Sequence, residues 1–147
     1  MQQPSEKKPR TVFFEGVWDM MHYNHIEFMV EAAAMGERLV VGVVTDYWAS
    51  TYKRAPIMTE QERLRTVQAL PFVDEAFLFD GPYTAELHKK VCARLGADIV
   101  VYGSDGFKEY YQPSIDAGRF VRTQYRPGIS TTELIKRILD REQATPS

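Results

Sequence analysis

FFEGVWDMMHYNH, residues Phe13 to His25, is an apolar run that stops at a glycine and restarts as a helix bearing two histidines. Thr11, Val12, Phe13 and Phe14 are β-branched or aromatic with no charge among them, the pattern of a strand covered on both faces in a parallel sheet. Glu15 and Gly16 end it. From Ile26 the apolar residues Ile26, Phe28, Met29, Ala32 and Ala33 recur at helical spacing, and Gly36 is expected to supply a left-handed stop. Strand, tight turn and helix in that order bring free backbone N–H groups and the positive end of a helix dipole to one point, which is what a polyphosphate needs. His22 and His25, three apart at the helix start, can both project toward that point. Hydrogen-bonded surface histidines are the plain alternative. A zinc site lacks a ligand set, because the single cysteine, Cys92, falls on another expected helix.

The strand-then-helix pattern repeats down the chain. Leu39 to Val44 reads as a second buried strand ending at Thr45 and Asp46, followed by a loop from Tyr47 to Met58. Thr59 and Glu62 have capping-box spacing and open a helix with Leu64, Val67 and Leu70 inward. Glu75 to Phe79 is the third strand, and Thr84 caps a helix carrying Leu87, Val91 and Leu95. Ile99 to Tyr102 is the fourth, running into the glycine-bounded turn Gly103 to Gly106, and Phe120 to Thr123 is the fifth. Ser130 and Glu133 form another capping box, opening a helix in which Leu134, Ile135, Ile138 and Leu139 are expected to be buried. The alternation predicts an α/β fold: a single Rossmann-like, doubly wound domain with a five-stranded parallel sheet and ligands beyond the carboxyl ends of its strands.

Composition bounds the function classes. A hydrophobic content of 44% in 147 residues suffices for one core, so one domain is expected over residues 11–140, flanked by flexible polar tails at 1–10 and 141–147. A net charge of −2 gives no electrostatic case for nucleic-acid binding, and no apolar window is long enough for a membrane span. A polar N-terminus and one cysteine favour a cytoplasmic protein.

Gly16, Asp19, His22 and His25 form the pattern G-x-x-D-x-x-H-x-x-H, which resembles the HxGH nucleotidylyltransferases and specifically their cytidylyltransferase family. Further matching runs follow in order. Lys53 precedes PIMTEQER (Pro56 to Arg63), then come FVDE (Phe72 to Glu75), YGSD (Tyr102 to Asp105), DAGRF (Asp116 to Phe120) and GISTT (Gly128 to Thr132). The resemblance implies transfer of a cytidylyl group from CTP, with Mg2+, to a phosphorylated alcohol, releasing pyrophosphate. It implies catalytic roles for His22, His25 and Lys53, and no protein-held metal. Nucleotide binding is implied for Gly16, Val17, Trp18 and Asn24 at the first turn, for Asp105, and for Arg126, Gly128, Ile129, Ser130 and Thr131 near the last helix. Substrate contacts are implied for Glu15, Asp46, Arg63 and Tyr83.

Two positions depart from the family pattern. Asn24 stands at the glycine of H-x-G-H, and Tyr125 stands where R-T-x-G-I-S-T has arginine, with Arg126 one place later; either Arg126 substitutes or one nucleotide contact is lost. Glu15 corresponds to an acidic residue of the choline- and ethanolamine-phosphate branches, where a carboxylate suits an ammonium group. Tyr83 sits where the choline branch tends to have tryptophan, which makes phosphoethanolamine the first expectation. Phosphocholine, glycerol 3-phosphate, an aminoalkyl or hydroxyalkyl phosphonate, ATP in place of CTP, and a non-catalytic nucleotide-binding module are the alternatives. Similar enzymes are dimers, so a homodimer is expected, with Phe72 to Glu75 near its interface.

Overall fold

In the computed structural model, which describes residues 8–104, 106–124 and 126–144, the apolar runs become strands β1 (Thr11–Gly16), β2 (Arg38–Val44), β3 (Glu75–Phe79), β4 (Ile99–Tyr102) and β5 (Phe120–Arg122). The helices among the described residues are α1 (Tyr23–Ala33), α2 (Asp46–Tyr52), α3 (Glu60–Gln68), α4 (Ala85–Leu95), α5 (Lys108–Asp116) and α6 (Thr131–Ala144). The strands form one sheet in the order β3-β2-β1-β4-β5, and every pairing is parallel. The chain leaves β1 for β2 on one side and later returns to β4 on the other. The winding therefore reverses between β1 and β4, opening a crevice above their carboxyl ends.

Alternation along the strands fills a core on each face. Val12, Phe14, Val41, Val43 and Val101 meet Met29 and Ala32 of α1 and Val67 of α3. Phe13, Val40, Val44 and Val100 meet Ala49 of α2, Val91 and Cys92 of α4, and Tyr110 and Tyr111 of α5. Burying both faces explains why the strands are apolar throughout.

Several expectations need correction. β1 runs two residues further than its apolar run and takes in Glu15 and Gly16. Gly36 is not a left-handed stop: α1 closes at Ala34 in right-handed conformation. A Cβ at Gly36 would lie 2.6 Å from the Arg10 carbonyl oxygen, so glycine is needed there for close approach. The stretch expected as a loop after β2 contains α2. At the C-terminus, residues 141–144 of the expected tail continue α6, and the rest of it, 145–147, lies outside the described residues. α6 buries none of its residues, and Ile138 and Leu139 are 59% and 58% exposed. The spacing of these residues correctly marked an apolar face; it carried no information on what covers that face.

Both capping predictions at α3 and α4 hold. Thr59 Oγ1 accepts from the Glu62 amide at 3.2 Å while Glu62 Oε1 accepts from the Thr59 amide at 2.9 Å. Thr84 Oγ1 accepts from the Leu87 amide. At α6, Ser130 Oγ accepts from the Glu133 amide at 3.0 Å.

Candidate active site

A cavity of about 610 Å³ opens above the carboxyl ends of β1 and β4. β1 contributes Glu15 and Gly16, and β4 contributes Tyr102 followed by Gly103 and Ser104. The turn after β1 adds Val17, Trp18, Asp19 and His22, and α1 adds Asn24, His25 and Phe28. The loop after α2 supplies Lys53, Arg54 and Pro56, while Thr123, Gln124, Arg126 and Ile129 to Thr132 close the remaining side. The expected Asp105 and the departing Tyr125 lie outside the described residues.

The β1–α1 turn is shaped by its aromatic residue. Trp18 has a left-handed backbone (φ 58°), which folds its indole back over Gly16, where a Cβ would lie 2.6 Å from the ring. Its Nε1 donates to the Gly42 carbonyl at 3.0 Å. Gly16 thus makes room for Trp18. Asp19 then laces neighbouring segments together. Its carboxylate accepts from the amides of Ile57 and Met58 at 2.7 and 2.9 Å, and its carbonyl accepts from Thr131 Oγ1 at 2.8 Å. One residue therefore ties the first turn to the α2–α3 loop and to the start of α6.

His22 precedes α1 and His25 lies in its first turn, and their rings stack at 3.7 Å between centroids, 21° from parallel. Trp18 meets His25 edge-on at 5.5 Å. His22 is 91% buried by its 9% exposure, and its Nδ1 has no partner. Burial lowers the pKa of His22. Burial first, then the neighbouring His22 and Lys53, lowers that of His25 to about 3. Near pH 7 both rings are neutral in the unliganded protein and offer N–H donors, while a bound polyanion would favour their charged forms. Lys53 follows α2 with its side chain exposed at the cavity rim; its pKa is lowered by partial desolvation and then by Arg54.

Glu15 forms the floor. It is 7% exposed, Tyr111 of α5 donates its hydroxyl to Oε1, and Oε2 has no partner. Burial raises the Glu15 pKa to about 7, with the Tyr111 hydrogen bond opposing the rise. A nearly buried carboxylate beside a cavity, with one oxygen lacking a partner, is poised for a cationic group.

Other expected contacts are placed elsewhere. Arg63 is fully buried and outside the cavity lining. Its guanidinium donates to the carbonyls of Met58, Val17 and Val44 at 3.1, 2.8 and 2.7 Å and to Asp46 Oδ1 at 2.7 Å, so it cross-braces the loops beneath the site. Asp46, committed to Arg63, and Tyr83, stacked on Phe107 at 4.5 Å with its hydroxyl 3.3 Å from that of Tyr52, are likewise outside the lining. Gly128 is also outside it. Its φ of 105° and the 2.9 Å between a built Cβ and the Tyr23 hydroxyl require glycine for conformation and space.

The two departures have distinct structural outcomes. The Asn24 amide nitrogen donates to the Ile129 carbonyl at 2.7 Å and lies 3.2 and 3.3 Å from those of Arg126 and Pro127, so its side chain clasps the β5–α6 loop. Arg126 lines the cavity but pairs with Glu27 and Glu31 on α1. Asn24→Gly should therefore lose about 1 to 2 kcal/mol of stability, from the clasp and from glycine in a helix. An unchanged urea midpoint would show the clasp to be energetically idle.

Sequence reasoning missed Arg54, Tyr102, Thr123 and Tyr111. Thr123 follows β5, is buried, lines the cavity and leaves Oγ1 without a partner. Polar residues at or just beyond a strand's carboxyl end were a usable signal for Tyr102 and Thr123. Nothing local marks Tyr111, which reaches Glu15 only because α5 packs under the sheet.

A parallel sheet with a winding reversal, a two-histidine turn and a helix N-terminus over one cavity defines an α/β domain whose crevice lies beyond the carboxyl ends of its strands. The chain belongs to the cytidylyltransferase-like family, whose model matches residues 13–137. It is 36% identical over 144 residues to an ethanolamine-phosphate cytidylyltransferase of Dictyostelium discoideum, covering 95% of this chain and 39% of that protein. The corresponding Arabidopsis thaliana protein is 33% identical over 91% of this chain and 33% of its own length. Choline-phosphate cytidylyltransferase A of Mus musculus is 31% identical over 90% of this chain and 37% of its own. The chain thus spans between a third and two fifths of the length of these relatives. A crystal structure of a lipopolysaccharide core biosynthesis protein from Thermoplasma volcanium GSS1 superposes with a TM-score of 0.65 at 26% identity, over 84% of this chain and all of that one.

Proposed function

We propose that the chain transfers CMP from CTP to ethanolamine phosphate, giving CDP-ethanolamine and pyrophosphate. The observation that carries the acceptor assignment is the nearly buried Glu15 carboxylate, with a free oxygen, on the floor of the cavity that holds the histidine pair. A phosphate oxygen of the acceptor attacks the α-phosphorus of CTP; the new P–O bond forms as the bond to the bridging oxygen breaks, and the electron pair leaves on pyrophosphate. The attacking group is already an anion near pH 7, so no general base is required. What is required is positioning and positive potential around the α-phosphate and the leaving group. The histidine N–H groups, Lys53 and the first turn of α6 supply these.

Magnesium enters on this reading as its CTP complex, with phosphate oxygens and water as ligands. Among the described residues no cluster of three or more His, Cys, Asp or Glu side chains could hold a metal ion, and both oxygens of Asp19 already accept backbone hydrogen bonds. A homodimer with Phe72 to Glu75 near its interface is proposed on the likeness to similar enzymes, to be checked by sedimentation at micromolar concentration, where a monomer would refute it. A cytoplasmic location is proposed on the single, buried, unpaired Cys92. No described helix is long and apolar enough to cross a membrane.

The deciding experiment measures pyrophosphate release with magnesium, CTP or ATP, and each of phosphoethanolamine, phosphocholine, glycerol 3-phosphate and aminoethylphosphonate. Release with CTP and phosphoethanolamine above the others is expected. No release with any pair would sink the proposal.

A further inference from the structure

We propose that Arg54 is a further contact for the leaving pyrophosphate, acting beside Lys53 and the first turn of α6. The inference rests on the nucleotidyl-transfer reading of the cavity and adds a residue to it. Arg54 lines the cavity from the α2–α3 loop, and its Nη2 donates to Thr132 Oγ1 at 2.7 Å. Thr132 is the second residue of α6, so the guanidinium stands at the positive end of that helix. A cation beside a helix N-terminus is electrostatically unfavourable unless an anion joins them. Lys53 is adjacent and lowered in pKa partly by Arg54, and among the described residues neither has a carboxylate in ion-pair range. Across the same cavity the nine-tenths-buried His22 leaves Nδ1 without a partner. Two cations, a helix N-terminus and an unsatisfied imidazole around one space are complementary to a multiply charged anion.

The alternative cation is Arg126, and it is committed to Glu27 and Glu31 on α1. Arg54 makes one neutral hydrogen bond, to an exposed threonine, and retains other guanidinium donors for a phosphate. Negative charge grows on the departing pyrophosphate, so a contact made there strengthens toward the transition state and acts on kcat as well as KM.

The test is calorimetric titration of inorganic pyrophosphate with magnesium into wild type, Arg54→Ala, Arg54→Lys and Arg65→Ala, the last removing the same charge from an exposed position on α3 outside the cavity. Arg54→Ala should bind pyrophosphate roughly ten- to a hundredfold more weakly, Arg54→Lys should fall between, and Arg65→Ala should match wild type. Unchanged affinity in Arg54→Ala, an equal loss in Arg65→Ala, or no binding by wild type overturns the proposal. Because this readout needs no acceptor, pyrophosphate binding that depends on Arg54 without CMP transfer would refute the transfer reading and leave Arg54 as a contact for bound pyrophosphate. Thermal melting separates a folding defect from a lost contact, and an exposed loop residue is expected to leave it unchanged.

Discussion

His25→Ala is expected to lower turnover roughly 100- to 1,000-fold, the range seen on removing one preorganised donor from a charge-stabilising site. His22→Ala should do the same. The stacked pair faces the cavity with neutral N–H donors, and nothing else described at the β1–α1 turn can replace them. Stability at neutral pH should change by about 1 kcal/mol or less, since His25 is only half-buried. The acid limb gives an independent readout. The folded pKa of His25, lowered to about 3, lies below the ordinary value of 6.5, so the unfolded chain binds the extra proton between them. Stability therefore falls as pH drops through that window, and His25→Ala should flatten the fall. A variant that keeps wild-type turnover while losing much of its melting temperature would make the histidines structural.

Glu15→Gln should separate acceptor recognition from stability, moving them in opposite directions. Loss of a charge-paired ammonium contact is worth about 1 to 3 kcal/mol, so KM for phosphoethanolamine should rise about ten- to a hundredfold. Glycerol 3-phosphate, uncharged at that end, should be little affected, and CTP binding should be spared. For stability the sign is reversed. With its pKa raised from 4.5 to about 7, folded Glu15 binds more protons than unfolded Glu15 across that interval. Its contribution therefore declines as pH rises through the interval, and above pH 7 the protein carries a buried charge. Glutamine removes that titration, so the variant should be more stable than wild type at pH 8 by up to about 3 kcal/mol. Equal KM increases for both acceptors, with no gain in melting temperature, would mean that Glu15 only shapes the turn.

The strands, the capped helices α3 and α4, and the two-histidine turn were legible because each is a local property: apolar runs, capping spacing and a glycine between strand and helix are short-range patterns that backbone sterics and burial enforce. The histidines could be placed near the crevice for the same reason, whereas Glu15 is assigned through the resemblance to the choline- and ethanolamine-phosphate branches. Arg63 and Asp46 could not be placed. Their residue types suit a phosphate site, yet packing brings Arg63 against three backbone carbonyls and makes it a brace. Asn24 and Arg126 were ambiguous in one dimension, and only proximity to the β5–α6 loop and to Glu27 and Glu31 decided what they hold. Tyr111, 96 positions from Glu15, meets it through the packing of α5 beneath the sheet. The sequence by itself thus determined the fold class and the two-histidine turn that lines the cavity, both encoded at short range. Which polar side chains remain free to meet a ligand was decided by the tertiary structure, because a donor's availability depends on the partners that distant segments bring to it.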